Sequence, residues 1–226
     1  MKYLIAVVFT LCSLNLYTQN AKLGISIGGN YSKLLGDFEE IIPSERRVGL
    51  QIGLYRDFKL TENIIVSPQL IYSSQGLRSP YSESVFPIID FVNGNPVEGT
   101  VTIGNEGAYI LNYLNLPIQF KYLIKDDLGF ILGPQFGYLL NAKFKGTTTT
   151  DGESEEENSK IDFDNKVDFG GVIGFSYFLQ EKFLLELKYY QGFSNVNKDE
   201  DIIIGGDEPV KMLNSVLQFS IGYRLF

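Results

Sequence analysis

The chain has no histidine and no tryptophan, and its single cysteine, Cys12, lies close to the start. Without an imidazole there is no His-based acid/base chemistry, no Ser/His or Cys/His nucleophile pair and no imidazole metal site. One cysteine supplies neither a disulfide framework nor a thiolate zinc site. Positive charge is also short: 19 Lys and Arg against 27 Asp and Glu give a formal net charge of −8, which argues against nucleic acid as a partner. Long apolar runs are missing as well. Beyond the first 20 residues the longest purely apolar run is Ala108 to Leu111, far short of the roughly 20 residues of a membrane helix. What remains, in 226 residues that suit one domain, is a glycine-rich, aromatic-rich chain of mean hydropathy near zero.

The first segment reads as an address. Lys2 followed by the apolar stretch Tyr3 to Phe9, continuing with interruptions to Leu16, has the charge and length of a secretory signal peptide rather than of an anchor helix. Cleavage is expected between Thr18 and Asn20, although no small-x-small triplet marks it, so residues 1–19 are assigned to the signal and 20–226 to one domain. Leu11 before Cys12 argues against a lipoprotein signal.

In the rest of the chain the apolar residues recur with period two, the spacing of a strand with unlike faces. Leu23, Ile25, Ile27 and Tyr31 alternate with Gly24, Ser26, Gly28 and Asn30; Leu50, Ile52, Leu54 and Phe58 alternate with Gln51, Gly53 and Asp57. Eight such runs are expected: 22–31, 48–58, 64–75, 109–122, 128–143, 166–178, 183–195 and 211–226. The connections after the second, fourth and sixth are short, and those after the first, third, fifth and seventh are long and polar. This predicts an all-β fold, an eight-stranded antiparallel transmembrane β-barrel with short periplasmic turns, long extracellular loops and both termini periplasmic.

A soluble barrel also alternates. Its water-facing parity, however, would carry long charged side chains, and here that parity is dominated by Gly with Asn and Gln, which suits a narrow lumen. Aromatics of the apolar parity gather near both ends: Phe58, Tyr122, Phe130, Tyr177, Phe183 and Tyr223 toward the short turns, and Tyr31, Tyr72, Tyr138 and Tyr189 toward the long loops. Two such girdles are what a bilayer's interfaces select.

Several motifs are similar to those of the PorT-like outer-membrane β-barrel family of Bacteroidota. Leu23-Gly24-Ile25-Ser26-Ile27-Gly28-Gly29-Asn30-Tyr31-Ser32 resembles that family's opening Gly-rich strand, and Ser67-Pro68-Gln69 through Gly76 resembles its third strand. The most specific likeness is Tyr113-Leu114-Asn115-Leu116-Pro117 through Lys121-Tyr122, where Asn115 stands in place of the family's usual acid. Gly133-Pro134, Asp168-Phe169-Gly170, Tyr189 to Asn195 and Gly222 to Phe226 also resemble their counterparts. The resemblance implies an eight-stranded outer-membrane barrel. It also implies outer-membrane lipid and, during biogenesis, the barrel assembly machinery as partners. One branch of the family is associated with type IX secretion and gliding. Phe226 resembles the terminal aromatic that the assembly machinery reads, but it falls off the apolar phase, and Arg224 occupies the usual aromatic place three from the end.

Three groups of residues could carry chemistry. On the inward parity stand Asp57, Asp168 and Glu186 against Lys121, Lys188 and Arg224, three of each sign, expected as a structural network of buried ion pairs. The sharper reading pairs Asp168 with Glu186 for acid/base work. The acid-rich stretch 151–157 after Thr147 to Thr150, and the acids at 199–201 and 207–208, are expected as solvated mobile tips, with divalent-cation capture as the alternative. Asn93-Gly94-Asn95-Pro96 signals a turn in the longest loop, and 97–103 could extend a hairpin there. Pro68, Pro117 and Pro134 fall inside strands three, four and five at similar heights, where they interrupt the ladder either as β-bulges or as a lateral gap.

The function expected from all this is non-enzymatic, with no cofactor and no metal: a subunit or accessory of an envelope assembly, or a surface-loop binding protein. A lipid-modifying enzyme without His chemistry, and lateral transport or binding of a hydrophobic ligand, are the alternatives.

Overall fold

A computed structural model of the chain describes residues 21–36, 44–92, 95–163, 165–180, 182–196 and 211–225. The expected signal peptide, the Asn93-Gly94 turn, the acids at 199–201 and 207–208, and Phe226 lie outside the described residues. Nine strands are present: β1 (Ala21–Leu35), β2 (Glu45–Lys59), β3 (Ile64–Val92), β4 (Asn95–Leu123), β5 (Leu128–Thr150), β6 (Glu153–Ile161), β7 (Val167–Leu179), β8 (Phe183–Gly192) and β9 (Leu213–Arg224). All but β6 form a closed antiparallel ring, sealed where β9 returns to β1 from Gly24↔Arg224 to Leu35↔Leu213. Closure leaves the ring itself without an edge.

Alternation sets the two faces. On β2, Gln51, Gly53, Tyr55 and Asp57 are buried, while Ile52 and Leu54 between them are 58% and 52% exposed. The same holds for Leu132, Phe136 and Leu140 on β5 and Leu217, Phe219 and Ile221 on β9, so the apolar set covers the outside as a lipid-facing barrel requires. Aromatic pairs of this outer face meet near the short turns, Phe130 with Phe175 at 5.8 Å and Phe183 with Tyr223 at 5.4 Å. The short turns are tight. Thr61 Oγ1 accepts from the backbone N–H of Asn63 (3.3 Å) and of Ile64 (3.0 Å), closing the β2–β3 connection.

Two expectations change at the other end. The stretch 77–108 is not a loop that carries a short hairpin: the hairpin expected at 97–103 runs along its whole length, and β3 and β4 pair from Ile64↔Tyr122 to Val92↔Asn95 apart from a gap between Pro68 and Ile71 and an irregularity between Ser79 and Ser82. The acid-rich stretch is likewise a strand rather than a mobile tip. Asp151 (φ 49°) and Gly152 (φ 90°) form a two-residue turn, and Thr147–Thr150 pairs with Glu153–Glu156. Asp-Gly favours this hairpin turn because both central residues need positive φ, and β-branched threonines favour the extended backbone on its flank. Counting acids weighs solubility, whereas here backbone pairing to β4, from Ile103↔Thr150 to Asn112↔Asn141, decides the conformation. A four-stranded sheet of β3, β4, β5 and β6 therefore rises past the rim.

Side chains fill the lumen. Tyr55, Ile65, Phe178 and Leu184 pack together near the short turns, and Leu34, Leu77, Leu111, Leu139, Val196 and Met212 close the opposite end. The polar interior lies between these two apolar plugs, beside a third apolar cluster of Ile131, Val172, Tyr190 and Val216 on the β5–β7–β8–β9 wall.

Candidate functional site: luminal network, proline seam and rim cleft

Five of the six luminal charges form one chain. Arg224 Nη2 donates to Asp57 Oδ2 at 2.8 Å, and Lys121 Nζ bridges Asp57 Oδ1 (3.3 Å) and Glu186 Oε1 (3.0 Å). Lys188 Nζ then meets Glu186 Oε2 at 2.7 Å. Lys121 and Lys188 have almost no accessible surface, so each ammonium is compensated entirely by protein. Two glutamines complete the layer. Gln69 Nε2 lies 3.4 Å from Glu186 Oε1 and its Oε1 accepts from Lys188 Nζ at 3.4 Å. Gln119, with its amide oxygen toward Lys188 Nζ (3.1 Å), donates to Glu186 Oε1 (3.1 Å). Arg224 also lies 4.1 Å over the Phe178 ring, joining the network to the apolar plug below. The glutamines were legible as inward-parity residues of their strands, but only the barrel's closure brings β3 and β4 across to β8.

Asp168 stands apart from this chain. Ser176 is opposite Glu186 on the β7–β8 ladder, and Asp168 is eight residues further along β7 (176 − 168), about 26 Å of strand. The pairing of Asp168 with Glu186 for acid/base work is therefore not formed, and the six charges are not one balanced set. Asp168 Oδ2 accepts from Tyr190 Oη (2.9 Å) and Asn214 Nδ2 (2.8 Å), and Asn214 Nδ2 also reaches Tyr113 Oη (3.1 Å). Its Oδ1 is buried with no hydrogen-bond partner among the described residues, as are both amide atoms of Gln135 and Nδ2 of Asn115. Among the described residues no group of three His, Cys, Asp or Glu is placed to hold a metal ion.

The prolines mark a seam. Between β2 and β3 the pairing stops at Tyr55↔Gln69 and resumes at Phe58↔Val66, skipping Pro68. Between β3 and β4 it passes from Pro68↔Ile118 to Ile71↔Asn115, skipping Pro117. Between β4 and β5 it passes from Pro117↔Gln135 to Phe120↔Leu132, skipping Pro134. Each proline lacks the N–H that would point to the preceding strand. The register is the same on both sides of each gap, so these are not the expected β-bulges; the register shifts lie at Arg46/Gln51, Ser79/Ser82 and Asn112/Tyr113. A bulge inserts a residue, whereas a missing donor removes a bond and leaves the count alone.

Above the rim, β3, β4, β5 and β6 enclose a cleft of about 500 Å³. Its floor holds Tyr109 and Phe144, ring centroids 5.0 Å apart. A Cβ on Gly107 or on Gly146 would come within 2.6 Å of the Phe144 ring, so two opposed glycines make room for that ring to lie across the sheet. Neither aromatic was singled out by sequence pattern, since the cleft depends on β6 joining the sheet.

Residues 17–198 match the family model described as outer membrane protein beta-barrel domain. No curated protein matches the chain. Among solved structures it is similar to Neisserial surface protein A (8% identity, 92% of this chain and all of that one, TM-score 0.48). It is also similar to the attachment invasion locus protein Ail of Yersinia pestis (13%, 91% and 99%, TM-score 0.40). A third is the N-terminal β-barrel domain of Pseudomonas aeruginosa OprF (10%, 89% and 97%, TM-score 0.34).

Proposed function

The chain belongs to the outer membrane protein beta-barrel domain family, and from that premise we propose that it is a non-enzymatic barrel with periplasmic termini that docks a protein partner of an envelope assembly through its extracellular ribbon. The observation that carries this reading is the ribbon 84–92/95–102. Among the described residues, β2 leaves β3 at Arg78 and β5 leaves β4 at Ile103, with Asp151 bonded to Thr102 as the last contact, so both ribbon edges are open beyond Thr102. Val85 and Ile89 are 59% and 67% exposed on it, with Phe86 and Ile88 exposed as well. Open, apolar strand edges invite a further strand. Residues 79–107 contain Glu83, Asp90, Glu98 and Glu106 and neither Lys nor Arg, so the fitting partner strand is basic. The likeness to the PorT-like branch makes type IX secretion the first assembly to test.

A photo-crosslinker at Ile89 in whole cells should give one protein adduct whose yield falls with added salt. Replacing 84–102 by a short Gly-Asn turn should abolish the phenotype of the intact chain, while the barrel still inserts. An unchanged phenotype after excision would refute the reading.

The proline seam favours a second reading, lateral passage of a hydrophobic ligand. Against it, Gln119 and Lys121 fill the lumen behind the seam with no accessible surface. Pro→Ala at positions 68, 117 and 134 together should raise thermal stability; loss of a co-purifying lipid in that variant would favour passage.

A further inference from the structure

The rim cleft has a lining chemistry unlike that of the lumen or the ribbon, and we infer that it is a binding site for a neutral saccharide. Its volume of about 500 Å³ is in the range of small-ligand sites and suits one or two sugar rings. The floor is aromatic. Phe144 lies over Gly107 and Gly146 with Tyr109 tilted at 56° beside it, and both rings are only partly buried, so a flat apolar surface faces the opening. The C–H face of a pyranose is the complement of such a surface, gaining dispersion and weak C–H contacts without a charge.

Polar groups that suit sugar hydroxyls surround this floor. Hydroxyls come from Ser79, Ser82, Thr148 and Ser159 on the face of Tyr109 and Phe144, each able to donate and to accept. Thr148 Oγ1 donates to Asn105 Oδ1 at 3.0 Å, which fixes the amide and leaves its two N–H groups directed away from that bond. Ser159 Oγ donates to Glu157 Oε1 at 2.9 Å, holding the lining carboxylate that shares the face of Phe144. No Lys or Arg lines the cleft. A carboxylate without a base beside it repels sulfated or phosphorylated glycans, while it can accept from neighbouring hydroxyls of a neutral one.

The test uses the full chain in phosphatidylcholine nanodiscs, which present no sugar headgroup, applied to an array of neutral, sulfated and glucosamine-type oligosaccharides. Neutral glycans should be retained. Phe144→Ala should weaken that retention about tenfold, the size of one aromatic contact. Thr148→Val, which keeps the side-chain shape and the strand, should weaken it as well by releasing Asn105. A chain lacking 84–102 should still bind, which separates this site from partner docking on the ribbon. Retention of no neutral glycan, preference for sulfated or glucosamine-type glycans, or equal retention by properly inserted Phe144→Ala and Thr148→Val chains would overturn the inference.

Discussion

The two halves of the lumen treat a buried acid in opposite ways. Near the short turns Glu186 sits between Lys121 and Lys188 and accepts further hydrogen bonds from glutamine amides. Toward the long loops Asp168 has a phenol and an amide on one oxygen and, among the described residues, no partner on the other. Both are buried to the same degree, 3% exposed, so burial is not what separates them. What differs is the neighbouring parity: at the lower level β4, β8 and β9 present cations inward, and at the upper level the strands around Asp168 present Tyr, Asn and Gln. An acid in the first setting is held by charge, and one in the second only by dipoles.

That contrast predicts a graded series of losses. Lys121→Ala removes the bridge between Asp57 and Glu186, leaving Asp57 to Arg224 and Glu186 to Lys188, and should lower barrel stability by about 3 kcal/mol, read as unfolding in urea by heat-modifiable gel mobility. An unchanged midpoint would mean that the lower lumen is wet. Asp168→Asn should cost less than about 1 kcal/mol or add stability. The amide oxygen can keep the Tyr190 and Asn214 bonds while an uncompensated charge disappears. A loss as large as that of Lys121→Ala would make Asp168 the anchor of a bound cation and reverse the comparison. Deleting 147–159, with its acids, should leave insertion intact, because β5 and β6 pair there above the barrel and add little to its core. If insertion fails, the rim sheet guides closure. Smallest of all is Asp162→Asn. Lys160 at 3.0 Å holds the Asp162 carboxyl below its ordinary value, so any stability from it is present above the ordinary carboxylate range and lost as pH falls through the lowered one. The pair is exposed to solvent, and the variant's unfolding midpoint is expected to match the parent chain's at pH 7 and at pH 3.

How far the sequence could be read depends on the range of the interaction. Gln51, Asp57, Lys121, Glu186 and Lys188 face inward as their parity requires, because alternation is a local property of a pleated strand. The hairpin at Asp151-Gly152 was also locally encoded, and the density of acids around it obscured a turn signal that the dipeptide carries. The prolines were legible as missing donors. Whether each gap would slip the register was not, since the neighbouring strands on both sides set the register together.

By itself the sequence determined which side chains face lipid and which face the lumen, where the short turns fall and which mechanisms lack their residues. Those follow from side-chain chemistry and a period of two. Only the tertiary structure decided that Lys121 meets both Asp57 and Glu186, that Asp168 is left out, and that Tyr109 and Phe144 share a cleft with Glu157. Each of these needs the shear of a closed ring or a strand added at its rim, and the relative height of two strands is fixed by closure rather than by either strand alone.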